Sequence, residues 1–132
     1  MSSIKSQFKD HYILFIESAF IAVHQMDEPS ALALIEAASL LNPEASLTHI
    51  TRSYFHLCKL ELKKAIEILN EVLKKDSENE LAKAFLAMAQ ILSAEHAKKG
   101  YELLETLKKS QDSGIKEFSD NAIAFMTQLA KK

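Results

Sequence analysis

From Ser30 to Ala45 the chain reads S-A-L-A-L-I-E-A-A-S-L-L-N-P-E-A. Thirty-four residues later, from Lys64 to Asn79, the same arrangement returns as K-A-I-E-I-L-N-E-V-L-K-K-D-S-E-N. Ala31, Ile35 and Ala38 lie at i, i+4 and i+7, one face of a helix. Ala65, Leu69 and Val72 hold the same face in the second copy, with Ser77 where the first has Pro43. Pro43 ends the first of these helices near Asn42. A third copy keeps the spacing in Gly100, Leu104 and Leu107, displaced by one added residue. An apolar helical run precedes each of them: Tyr12–His24, Leu47–Cys58 and Leu81–Leu92. The unit is helix, short turn, helix.

The repeat predicts seven helices, at roughly 8–25, 29–42, 46–59, 62–75, 79–94, 96–110 and 114–131, with residues 1–7 frayed. Composition agrees. Only two glycines and two prolines occur in 132 residues, too few turn formers for a hairpin-rich β fold. Ile115, Phe118, Ala122, Phe125, Met126 and Leu129 form a last stripe at helical spacing after Ser113-Gly114. It suits a terminal helix that covers the apolar edge of the last repeat.

The 34-residue period and its small/bulky/small/proline pattern resemble the tetratricopeptide repeat. Phe15, Ala19, Ala22, Ala31, Ile35, Ala38 and Pro43 carry the resemblance in the first copy. It implies an all-α, right-handed solenoid with repeats at about 12–45, 46–79 and 80–112 and a capping helix at 114–131. In such an array the first helix of each pair lines a concave face. By register that face holds Ile13, Ile16, Phe20 and Val23, then Leu47, Ile50, Tyr54 and Leu57, then Leu81, Ala84, Met88 and Ile91. None is charged, whereas repeats that clamp a terminal carboxylate need cations there. The face suits one stripe of an amphipathic helix. The competing reading is that the array curls tightly enough to make these residues core.

Signals for chemistry are absent. There is no H-E-x-x-H, no G-x-S-x-G and no glycine-rich phosphate loop, so no enzyme, cofactor or metal site is expected. His49 and His56 are seven apart but lack further ligands. Cys58, the one cysteine, is expected as a buried, inert thiol. A net charge of -2 disfavours nucleic acid. No secretory leader or bilayer-spanning run is evident, which predicts a soluble, cytoplasmic bacterial protein without membrane insertion. The first helix is apolar nearly all round from Tyr12 to Val23, apart from Glu17 and Ser18. About ten mostly polar residues precede it, too few to cover it. A second polypeptide, or a second copy of the chain, is therefore expected on a face holding Tyr12, Leu14, Glu17 and Ile21.

With these features the chain resembles the small tetratricopeptide chaperones that hold the needle subunit of bacterial type III secretion systems. Ser110-Gln111-Asp112 followed by Ile115 and Phe118 resembles an S-Q-D-x-x-I-x-x-F stretch of that family; Glu17, Ala19 and Arg52, shortly before Tyr54, are similar too. The resemblance implies that the needle subunit's amphipathic C-terminal helix lies in the concave trough and cannot polymerise, while a small helical co-chaperone covers the first repeat. One departure is the turn Leu60-Glu61-Leu62, where the family tends to have glycine; another is residues 1–11, somewhat longer than in the family. Other readings of the same repeat are a general interaction adaptor and a chaperone of the translocator class.

Overall fold

The computed structural model of the chain describes residues 2–130, with the side chains of residues 7–124 and of Thr127. The described residues form an all-α protein of seven helices and no strand: α1 (Ser2–His24), α2 (Glu28–Leu41), α3 (Ser46–Cys58), α4 (Leu62–Lys75), α5 (Glu80–Leu92), α6 (Ala97–Leu107) and α7 (Ser113–Ala130). Most boundaries fall within two or three residues of those predicted. The exception is α1, which starts at Ser2 rather than near residue 8. No helix among the described residues is long and apolar enough to cross a membrane.

The 34-residue period is present in the backbone. The starts of α2 and α4, Glu28 and Leu62, are 34 apart, as are those of α3 and α5, Ser46 and Glu80. The ends of α1 and α3 share one local geometry. At α1, the Asp27 N–H donates to Ala22 O at 2.9 Å and the Met26 N–H to Val23 O at 3.0 Å. At α3, the Glu61 N–H donates to His56 O and the Leu60 N–H to Leu57 O, both at 2.9 Å. Each pair of bonds is a Schellman motif, which needs a left-handed residue to turn the chain back on its last carbonyls. Met26 (φ 59°) and Leu60 (φ 60°) supply it, 34 residues apart and without glycine. The end of α5 departs from this pattern. Ser93 is extended there (φ −94°, ψ 119°) and its N–H is shared between Ala89 O and Gln90 O. That different exit accommodates the extra residue of the third copy.

The predicted face of every second helix is buried. Ala31, Ile35 and Ala38 on α2, Ala65, Leu69 and Val72 on α4, and Gly100, Leu104 and Leu107 on α6 are all inaccessible or nearly so. Burying a leucine such as Leu69 or Leu104 contributes roughly 1.5–3 kcal/mol relative to exposure. On α4 the opposite face is charged or polar and exposed, with Lys63, Lys64, Glu67, Glu71, Lys74 and Lys75.

The chain divides into two compact units, Met1–Glu61 and Leu62–Lys132. In the first, α1 and α2 meet along small residues, Ala19, Ala22, Ala31 and Ala38, which permit close approach of two helices. Phe55 of α3 joins Val23 and Ile35 in this core. A buried hydrogen bond of 2.8 Å between the Tyr12 hydroxyl and Thr48 Oγ1 fastens α1 to α3. Two other buried hydroxyls of α3 bond back to their own helix, Thr51 to Leu47 O and Ser53 to Ile50 O.

In the second unit, Ala84, Ala87, Leu104 and Leu107 form the core, and α7 lays Ile115, Phe118, Ala122 and Ile123 against it. The stripe expected of a terminal covering helix is therefore in place through Ala122. Phe125, Met126 and Leu129 lie outside the described side chains. The Ser110-Gln111-Asp112 stretch starts this helix. Asp112 Oδ1 accepts the Gly114 and Ile115 N–H groups, capping α7, and the Ser110 hydroxyl donates to Glu80 Oε1 at the start of α5.

Candidate functional site

In the first unit, Ile16, Val23, Ile50 and Leu57 are buried, Phe20, Leu47 and Tyr54 are half-buried, and Ile13 is exposed. Ile16 belongs to the core with Tyr12 and Ala38, and Val23 to the core with Phe55. Those two positions, and Ile50 and Leu57 with them, are thus buried, against the expectation of an open face. A helix packed against neighbours on two sides has two apolar faces, and periodicity alone does not say which is open. What remains accessible is exposed Ile13 and an uncharged strip of half-buried Phe20, Leu47 and Tyr54. In the second unit, Leu81, Met88 and Ile91 are half-buried. Ala84 is fully within the core, and Ile91 packs against that core and Gly100. Of the four predicted there, Leu81 and Met88 keep accessible side chains away from that cluster.

The best-defined part of the strip is aromatic. The Phe20 and Tyr54 rings lie 5.0 Å apart, tilted by 40°, within the range where aromatic pairs attract each other beyond simple burial. The Tyr54 hydroxyl is hydrogen-bonded with His24 Nε2 at 2.5 Å. Burial, and next its hydrogen bond with Cys58, push the Tyr54 phenol up to about 12. The ring is therefore neutral and held in place at any physiological pH. Arg52, two residues earlier on α3 and so on another side of that helix, is engaged with His49.

On α1, Leu14 and Ile21 are more than half exposed (55% and 58%), with exposed Glu17 between them. Positions 14, 17 and 21 share one stripe. Tyr12 does not belong to it. Its ring is buried and its hydroxyl is used by Thr48, 36 residues away, a partner no local pattern announces.

Cys58 corrects the sequence expectation in another way. It is exposed, because α3 ends there. The thiol lines a cavity of about 380 Å³ formed where α1 turns into α2, together with Val23 and Phe55. This cavity was not legible from spacing, since it joins residues more than thirty positions apart. His56 is hydrogen-bonded to Glu61 Oε1 at 2.9 Å. Among the described residues no group of His, Cys, Asp and Glu is arranged to hold a metal ion.

Comparison with protein-family models, curated proteins and solved structures finds no match to this chain.

Proposed function

We propose that this chain is a cytoplasmic type III secretion chaperone that holds the amphipathic C-terminal helix of a needle subunit and keeps it from polymerising. The proposal includes a right-handed stack of three tetratricopeptide-like helix pairs with α7 as its cap. The observation that carries it is the uncharged, half-open aromatic strip of Phe20 and Tyr54, on two successive first helices of a backbone that repeats every 34 residues. Such a strip recognises the apolar stripe of a helix and offers no cation to a carboxylate terminus. The exposed Leu14/Glu17/Ile21 stripe supports a second, small helical partner on α1.

The test is co-expression with a type III needle subunit. The wild-type chain should hold the subunit in a soluble complex of defined size. Replacing Phe20 and Tyr54 by Asp should abolish that complex while leaving the helical circular dichroism largely unchanged. Polymerisation of the needle subunit at its unassisted rate beside the wild-type chain would remove the chaperone reading. Retained binding by the double variant would remove the strip as its site. The repeat by itself also supports a general adaptor, and binding of unrelated amphipathic helices equal to that of the needle helix would favour it.

A further inference from the structure

The cavity at the end of α1 has walls and a rim of different character. Its walls are apolar, with Val23 and Phe55, and Cys58 contributes the thiol. Its size, about 380 Å³, is at the small end of the ~300–1,000 Å³ usual for ligand pockets. That suits an anchoring side chain better than an extended cofactor. The rim is formed in part by Met26, which is 91% exposed. A thioether held clear of its own fold loses its water only when something else covers it, and methionine adapts readily to a partner's side chain.

Charge selects among partners. The lining holds two carboxylates, Asp27 and Glu28, against one ammonium, Lys59. Lys59 is already engaged. Its Nζ lies 2.9 Å from Glu28, 3.6 Å from Glu61 and 5.2 Å from the centre of the Phe55 ring. His24, also in the lining, is hydrogen-bonded to Tyr54. Asp27 takes the Ser30 N–H as the cap of α2. Among the described residues no cation pairs with it. The uncommitted charge at the rim is therefore negative.

We propose that this cavity is a docking socket for a partner polypeptide that inserts an apolar side chain and places an adjoining lysine or arginine on Asp27. The socket adjoins the Phe20/Tyr54 strip, since His24 and Cys58 of its lining are bonded to Tyr54, but neither Phe20 nor Tyr54 lines it, so binding at one can be lost without the other.

The probes are N-acetyl-Phe-Arg-amide and N-acetyl-Phe-Glu-amide, titrated at millimolar concentration and low salt into the ¹⁵N-labelled full chain. The arginine probe should shift the amides of Val23, Met26, Asp27 and Cys58, and should slow alkylation of Cys58 by iodoacetamide. An exposed charge contact is weak, so the preference over the glutamate probe should be about two- to fivefold, and it should vanish in high salt. Asp27→Asn keeps the helix cap, because Asn caps as well as Asp, and should erase the preference without changing the rest of the spectrum. Equal binding of both probes, a preference that survives Asp27→Asn, or shifts confined to other surfaces would overturn the proposal.

Discussion

Leu60 occupies a backbone conformation that L residues avoid, and it is 69% exposed, so little packing repays it. A left-handed conformation costs a residue with a Cβ roughly 1–2 kcal/mol. Glycine removes that cost but adds freedom to the unfolded chain, worth roughly 0.5–1 kcal/mol. Leu60→Gly should therefore stabilise the chain by up to about 1 kcal/mol, read as a raised urea midpoint with an unchanged slope. A lowered midpoint would mean that the leucine side chain has a role the strain argument omits. This site also shows why part of the local structure was hidden in the sequence. An apolar residue at a helix end continues the apolar stripe, and only the hydrogen bonds of Glu61 and Leu60 reveal a cap. Met26 is the same case one period earlier.

At the scale of elements, the 34-residue recurrence was legible because it rests on two short-range signals, i/i+4/i+7 burial and turn residues between helices. Ala31, Ala65 and Gly100 were readable as one small position, and all three are buried. What makes the third of them a glycine was not readable. A Cβ on Gly100 would lie 2.7 Å from Ala87 O and 2.9 Å from Ile91 N, so α5 and α6 approach too closely for any side chain there. The additional residue before α6 follows directly on the extended exit at Ser93. Glycine to alanine within a helix ordinarily stabilises by roughly 0.5–1 kcal/mol. Gly100→Ala should do the opposite. The atoms it meets include backbone, which cannot swing aside, and overpacking of this kind costs typically ~1–3 kcal/mol. Chemical denaturation decides the sign, and a stabilised variant would show that the two helices part without penalty. The facing of α5 was not legible either. Ala84 and Ile91 turn to α6 and α7, a choice made by tertiary packing rather than by period.

For the whole molecule, the question is what covers α1. Its inward face is well used: Tyr12 reaches Thr48, and Ile16, Ala19, Ala22 and Val23 are in the cores. Its outward face leaves Leu14 and Ile21 on one stripe, both more than half exposed, with Phe8 also 55% exposed on the same helix. Exposed apolar side chains on one helix, even with Glu17 between Leu14 and Ile21, favour association when a second apolar surface is offered. The isolated chain should therefore self-associate at high micromolar concentration, by sedimentation velocity or light scattering. Replacing Leu14 and Ile21 by Ser should shift it to monomer, keep its helix content and change its unfolding free energy by no more than about 1 kcal/mol, about 0.5 kcal/mol for each surface substitution. Tyr12→Phe is the contrasting control. It strands the buried Thr48 hydroxyl without a partner, which should lower stability by ~1–3 kcal/mol while leaving association through the outward stripe intact. A wild-type chain that is monomeric throughout, or a Leu14/Ile21 variant as associated as its parent, would show that this face is adequately solvated and needs no second polypeptide.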